Sequence, residues 1–418
     1  MQELLFLCHR LPFPPNKGDK IRSYHVLRYL AEKYRVHLGT FVDDPADWQH
    51  AAAVKALCAR TCIRPLKPFL ARFRALTALG RAEPLTVAYY RDRVMGRWVD
   101  QILSTGTVQT VVAFSSSMAP FMLRSGGVRR VMDFVDVDSD KWRQYAETHT
   151  GMAGMIYRRE ATCLADFEQR IAAQCDACVF VSGSEAEFFR QRVPPKLAGR
   201  IHGIPNGVDA DYWDPALVYP NPYGREERVL VFVGAMDYWA NAQGAHWFAR
   251  TVWPWIRKTL PAARFYIVGA NPSRAVRALA RIEGVVVTGR VGDVRPYVSH
   301  AHAVVAPLRI ARGIQNKVLE ALAMGKALLS TPQAYEGIED FQERRGCVSD
   351  SPDALDREAL RWLTGPKPVW FPAVRQQVLS RYNWRQTLAR FDTLLEGAIV
   401  AERDAAEPGT ARTRKAYP

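Results

Sequence analysis

The amino-acid sequence predicts an α/β protein built from two parallel-sheet halves joined by a hinge. Two observations carry that reading. Short apolar runs alternate with longer segments of helical period, the pattern of a parallel sheet with crossover helices. At 418 residues the chain is also too long for one ordinary core, and the pattern stops and restarts near its middle. In the first half the predicted strands are Leu4–Cys8, Val36–Phe41, Val111–Phe114, Val131–Val135 and Cys178–Val181. A helix with Ile21, Tyr24, Leu27 and Leu30 every three residues follows the first strand. Ser184-Glu185-Ala186-Glu187 has the spacing of a capping box opening another. Pro215, Pro220, Pro222 and Gly224 then mark a connection over residues 214–228. Beyond it the series resumes with Val229–Val233, Arg264–Val268, Val285–Thr288, Ala303–Pro307 and Ala327–Ser330. The expected division is 1–213, a linker at 214–228, 229–371, a closing helical segment at 372–400 and a disordered tail at 401–418.

Composition narrows the class. Hydrophobic residues at 48% and charged residues at 24% are the balance of a folded chain rather than a disordered one. The strongest apolar runs, such as Val229–Ala235 and Ala301–Leu308, fall far short of the roughly 20 residues of a membrane span. The opening Met-Gln-Glu-Leu-Leu-Phe-Leu-Cys has no basic leader and no small-residue cleavage site, so a cytosolic chain is expected. Lys plus Arg exceed Asp plus Glu by 57 to 42, which favours anionic partners. The densest basic stretch, Lys55–Arg97, sets ten basic residues against Glu83 and Asp92 and carries Leu66, Phe69, Leu70, Phe73 and Leu76 at helical spacing. It reads either as a helix lying on an anionic membrane or as a solvated helix packing its apolar side on the core. Seven cysteines, an odd number, argue against a disulfide framework. The single CxxC, Cys175–Cys178, runs into an apolar strand and reads as core packing rather than as a metal or redox site.

The chemistry concentrates in Pro307–Gly325, which reads as strand end, loop and helix. Loops at the carboxyl ends of parallel strands are where open α/β sheets bind ligands. Gly313 permits close backbone approach, and the amides opening the next helix can hold a phosphate. Lys317 in the first turn adds a point charge, and Glu320 one turn later can accept hydrogen bonds from a ribose diol. The same two residues also read as an ordinary exposed helix pair.

This stretch resembles the carboxyl-domain signature of glycosyltransferase family 4, where a loop runs into Leu-Glu-Ala-Met-Ala-x-Gly; here it is Leu319-Glu-Ala-Leu-Ala-Met-Gly325. Ile204-Pro-Asn-Gly-Val-Asp209, Cys175–Ser184, and Gly289-Arg-Val-Gly-Asp293 followed by Ala301–Pro307 are similar to further elements of that family, in order along almost the whole chain. His9–Lys20, with Arg81-Ala-Glu-Pro-Leu-Thr86, looks more narrowly like the sugar transferases of exosortase (PEP-CTERM) systems. The resemblance implies the GT-B architecture: a Rossmann-like acceptor domain and a Rossmann-like nucleotide-sugar domain facing across a cleft, with a C-terminal helix crossing back to the first. It implies donor contacts at Gly18, Arg290, Val291, Gly313, Ile314, Lys317 and Glu320, with Glu320 on the ribose. Lys17, Lys20 and Arg22 would add positive charge for the diphosphate or acceptor.

Two departures stand out. The family's paired glutamates lie eight positions apart, and here the first position is Arg312, suited to clamping a phosphate or an acidic sugar. The Arg-Lys pair usual after the first strand of the second domain is replaced by Gly234-Ala-Met-Asp-Tyr-Trp-Ala-Asn241, leaving Lys317 and Arg312 to supply that charge. Asp136-Val-Asp138 is a DxD, which in the GT-A architecture holds a metal. In the GT-B setting Asp136, with Asp138 as fallback, is the candidate for orienting the acceptor hydroxyl or the leaving sugar. The alternative is polar capping of the helix near Lys141.

The function expected is transfer, with retention and without a metal or other cofactor, of a sugar from a nucleotide-diphosphate sugar to a polysaccharide or lipid-linked acceptor. The setting would be exopolysaccharide synthesis at the inner face of the cytoplasmic membrane, with Lys55–Arg97 meeting lipid or a polyprenyl-linked acceptor. A nucleotide-sugar epimerase of the same fold is the enzyme alternative; a non-catalytic basic protein binding membranes or nucleic acid is the rival from another class. No nucleic-acid motif supports the last.

Overall fold

The structure, a computed structural model, describes residues 1–124, 126–311, 313–338, 346–365 and 371–396. The predicted tail at 401–418 and the last residues of the closing segment lie outside them. Seven strands form the first sheet: β1 (Glu3–Cys8), β2 (Arg35–Val42), β3 (Arg60–Pro65), β4 (Val108–Phe114), β5 (Arg129–Val135), β6 (Ala177–Phe180) and β7 (Ile201–Gly203). Their order is β3-β2-β1-β4-β5-β6-β7, and every pairing is parallel. Six strands form the second: β8 (Arg228–Val233), β9 (Ala263–Val268), β10 (Val285–Gly289), β11 (Ala303–Ala306), β12 (Leu328–Ser330) and β13 (Gly346–Val348), in the order β10-β9-β8-β11-β12-β13 and again all parallel.

Both orders reverse direction once, between β1 and β4 and between β8 and β11. At such a switch point the two flanking loops part and leave a crevice at the carboxyl ends of the strands. The central strands are continuous apolar runs because helices cover both faces: Leu4 to Cys8 and Val229 to Phe232 are inaccessible. The three strands that periodicity misses are edge or near-edge pieces. β3 is half-exposed along its length, and β7 (Ile-His-Gly) and β13 (Gly-Cys-Val) lack the apolar run that marks the equally short β12. The predicted capping box shifts by two residues. Ser182, not Ser184, accepts the Glu185 amide at 3.0 Å and opens the helix Gly183–Arg190.

The closing segment is three helices rather than one: Pro372–Arg381, Trp384–Leu388 and Arg390–Glu396. The first packs on the second half, with Arg375 donating to the Ala323, Ala210 and Trp213 carbonyls. The chain then crosses back. Trp384, Leu388, Phe391 and Leu395 join the apolar core of the first half. The Trp384 indole stacks on His25, ring centroids 4.5 Å apart, and burial lowers the His25 pKa to about 4, keeping the imidazole neutral. A methyl on Gly207 would lie 2.6 Å from the Trp384 amide nitrogen, so this crossing requires a glycine in the Asn-Gly-Val-Asp segment. Replacing Trp384 with alanine should therefore cost about 3 kcal/mol. Urea unfolding should show that loss as an earlier transition of the first half.

Candidate functional site

Two helices open onto the crevices at the switch points. Gly18–Lys33 follows β1, and Asn316–Ala323 follows β11. Neither N-cap residue, Lys17 or Gln315, satisfies first-turn amides with its side chain; in the first helix Asp19 Oδ1 accepts the Lys20 amide at 3.0 Å, and the second helix has no acidic residue in its first turn. The two ends face one another. The nearest non-neighbouring atom to a methyl built on Gly18 would be Asn316 Nδ2, at 3.9 Å. Asn206 bridges the halves, its Nδ2 donating to Asn316 Oδ1 at 2.8 Å.

Asn206 is itself held by Arg22, whose Nη1 donates to Asn206 Oδ1 at 2.9 Å and to the Ile204 carbonyl at 3.0 Å. The Arg22 Nε donates to Asp133 Oδ2 at 2.8 Å, and both side chains are wholly buried. Burial pushes the Asp133 carboxyl up, while the guanidinium pulls it down. Lys20 is likewise enclosed, paired with Asp47 at 2.7 Å. Two of the three cations expected to serve phosphate or acceptor are thus corrected to internal ion pairs. Helical periodicity could not show this: Ile21, Tyr24 and Leu27 mark an apolar face, but Lys20 and Arg22 also turn inward, to carboxylates that only the fold brings near. Lys17 is half-exposed and makes no ion pair with a described residue.

On the second helix Lys317 and Glu320 are half-buried. Burial lowers the Lys317 pKa to about 8 and raises that of Glu320 to about 7, each only partly offset by the other. The Lys317 ammonium donates to Asn241 Oδ1, while Asn241 Nδ2 donates to the Ala235 carbonyl at 2.8 Å. The loop that lacks the expected Arg-Lys pair is therefore tied to Lys317 through Asn241, a residue whose role no sequence motif indicated. Ile314 is buried. Arg290 is exposed and Val291 packs at the edge of the second core. Asp293 of the same segment pairs with Arg295 at 2.7 Å, and Arg295 lies 4.0 Å from the ring centroid of Tyr212. Burial, with the nearby Asp293 and Glu320 carboxylates, raises the Tyr212 hydroxyl pKa, a link from this segment to the second helix that no motif indicated. Arg312 lies outside the described residues.

The acidic cluster sits at a strained strand end. Val135 has φ of 73°, uncommon for a β-branched residue, and Asp133 Oδ1 accepts its amide at 3.1 Å. Ser115, at the neighbouring end of β4, has φ of 75°. The turn at Val135 delivers Asp136 to the cleft opposite Gly313, where a methyl would lie 2.7 Å from Asp136 Oδ1 and 2.5 Å from Val181 Cγ2. Gly313 itself has φ of 62°. Asp136 and Asp138 both engage Lys141, at 2.7 and 3.2 Å. Asp136 thus faces the Gly313 loop, whereas Asp138 is the first residue of the helix Asp138–Thr148, whose N-cap is Val137 with no side-chain capping bond, so the capping reading is not borne out. The His300 and His302 rings bond the Tyr219 carbonyl and the Val229 amide, and Cys175 and Cys178 are core residues.

Substituting Arg22 with alanine leaves Asp133 buried without its cation and should destabilise the protein by about 3–5 kcal/mol, most strongly above the pH at which Asp133 ionises. Gly313→Ala should cost about 1 kcal/mol of global stability through its positive φ, and the added methyl should push the halves apart at Val181 and Asp136. Small-angle scattering would then record a more open molecule, and an unchanged profile would show that the contact does not set the opening.

Residues 227–364 match the family model described as glycosyl transferases group 1. No curated protein sequence matches the chain. Among solved structures, Anabaena Alr3699/HepE in complex with UDP and glucose is similar at 13% identity, covering 97% of this chain and 100% of that one with a TM-score of 0.57. A glycosyltransferase from Rickettsia africae ESF-5 covers 95% of this chain and 100% of its own at 12% identity and TM-score 0.60. WaaG, a glycosyltransferase involved in lipopolysaccharide biosynthesis, covers 97% and 100% at 16% identity and TM-score 0.58. At these identities the likeness is one of fold, and the fold is GT-B: two facing parallel-sheet halves, the second carrying the group 1 match, with a closing segment that returns to the first.

Proposed function

We propose that the protein is a glycosyltransferase that moves a sugar from a nucleotide-diphosphate sugar to a polysaccharide or lipid-linked oligosaccharide acceptor. The observation that carries this reading is the pair of opposed helix N-termini at Gly18 and Asn316, with Lys317 and Glu320 on the second helix. Such ends hold an anion without a metal, and the departing diphosphate is where charge grows as the sugar leaves. In this reading Lys317 and Arg312 neutralise the diphosphate, Glu320 accepts from the ribose hydroxyls, and Arg290 and Val291 border the base. Asp136 orients the acceptor hydroxyl or the leaving sugar. The bond from the anomeric carbon to the diphosphate oxygen breaks, the acceptor oxygen bonds that carbon on the same face, and its proton passes to the departing diphosphate. The family resemblance supports this retaining course, and the motifs at His9–Lys20 and Arg81–Thr86 support a role in exopolysaccharide synthesis on the cytoplasmic side of the membrane.

The first test is thermal stabilisation by UDP, GDP, ADP and their sugar conjugates. A nucleotide at 100 times its dissociation constant stabilises by about 2.7 kcal/mol. One of them should do so with the wild type and not with Glu320→Ala. No shift with any nucleotide would contradict the reading, and turnover of the nucleotide sugar without an acceptor would mark an epimerase instead. The site also predicts a pH profile. Below about 7 Glu320 takes up a proton and accepts less well, and above about 8 Lys317 loses the charge that holds phosphate. Nucleotide affinity, followed by calorimetry, should peak between these limits. Glu320→Gln should abolish the acidic limb and Lys317→Ala the alkaline one.

A further inference from the structure

The helix Pro68–Thr77 buries only Ala71. Its apolar residues face away from the core: Phe69 is 79% exposed, Phe73 64% and Leu76 56%, with Leu70 and Leu79 also exposed. Packing of this side on the core, one of the two readings of the sequence, is therefore not what the chain does. The apolar surface continues on a second element. Arg159, on the helix Gly151–Gln174, donates to the Ala78 carbonyl at 2.6 Å and to the Glu83 carbonyl at 3.2 Å, while the buried Glu160 accepts the Leu85 and Thr86 amides. Met155 and Met152 lie four and seven positions before Arg159 on the same helix, on the face that meets this segment, and are 64% and 79% exposed.

The position of this surface follows from the hairpin that carries it. Helix Asp138–Thr148 leaves the cleft edge just after Asp136, and Ser139 is bonded to Glu168 on the returning helix. The 18 residues from Glu168 back to Gly151 therefore carry the helix about 25 Å away from that contact at the cleft edge. Tyr145 on this hairpin reaches Trp239 of the second half, ring centroids 4.9 Å apart. The exposed Phe and Met side chains thus flank the mouth of the cleft on the side of the first half.

We propose that this two-element surface seats the protein on an anionic phospholipid bilayer with the cleft mouth toward the lipid. The charge selects this occupant. Residues 67–82 hold four basic side chains and no acidic one, and Lys67, Arg72 and Arg81 are exposed around the apolar row. Phenylalanine, leucine and methionine enter the acyl boundary while the basic rim meets lipid phosphates. Among the described residues no helix is long and apolar enough to cross a membrane, so the contact is interfacial. The inference deepens the transferase reading by giving the lipid-linked class of acceptor a route into the cleft, and it rests on that reading only for this purpose.

The test is co-sedimentation of the full chain with vesicles of phosphatidylcholine and phosphatidylglycerol in equal parts, against vesicles of phosphatidylcholine alone. Wild type should bind the anionic vesicles, more weakly as salt rises, and Phe69→Ser/Phe73→Ser should bind at least about tenfold less. Because both side chains are exposed, the variant should unfold at the wild-type temperature and bind nucleotide as the wild type does. Equal binding by the variant, equal binding to neutral vesicles, or no binding by wild type would overturn the proposal. So would a wild-type dimer that the variant converts to a monomer, since the surface would then be occupied by a second copy. Nucleotide binding without vesicle binding removes the docking surface alone; vesicle binding without nucleotide binding removes the transferase reading alone.

Discussion

A guanidinium with no solvent exposure can be kept in a fold only if a carboxylate and further acceptors surround it, because a lone buried charge is prohibitively costly. Arg22 meets that condition with Asp133, the Ile204 carbonyl and Asn206. Those partners come from β5 and from the segment beyond β7, so one side chain ties the first helix to the far side of the first sheet. The consequences spread from there. Asp133, bonded to Arg22 through one oxygen, accepts the Val135 amide through the other and so supports the left-handed turn that aims Asp136. Asn206, oriented by the same guanidinium, reaches Asn316 in the second half. The opposition of the two helix N-termini thus rests on a charge pair that touches neither a cleft surface nor solvent.

The second constraint is steric. Where the halves meet, Gly313 lies against Val181 and Asp136 with no space for a methyl group. Glycine is needed there both for its positive φ and for this close approach. In the second half electrostatics are left deliberately unfinished: Lys317 and Glu320 are pushed toward neutrality by burial, and an anion with a hydroxyl pair would restore charge to both. Groups poised in this way are common where a ligand is to be received, and the neighbouring turns at Ser115 and Val135 carry the backbone strain that often accompanies such places.

Much of this was legible in the sequence. The ten strands that announce themselves do so because each is an apolar run bounded by turn residues, even the edge strand β10 and the three-residue β12, and the restart after Arg228 follows from the same signal. The motif around Gly313 and Glu320 falls at the carboxyl end of β11, as parallel-sheet logic requires. What escaped has physical reasons. Lys20 and Arg22 read as solvent cations because periodicity carries no information about carboxylates 27 and 111 residues away. Asn241 and Tyr212 are single polar and aromatic residues whose significance depends on Lys317 and Arg295 approaching from elsewhere in the second half. The outward row of Phe69, Phe73 and Leu76 carries the same pattern as a core-facing helix, and only the packing of Ala71 reveals which way it turns.

The account depends most on an anion being shared between the two helix ends. Hydrogen exchange of the full chain, with and without a saturating nucleoside diphosphate, tests this directly. Amides of residues 18–22 and 316–320 should gain protection together, because one diphosphate would engage both N-termini. Protection confined to one half, or to neither, would contradict a donor site built across the cleft.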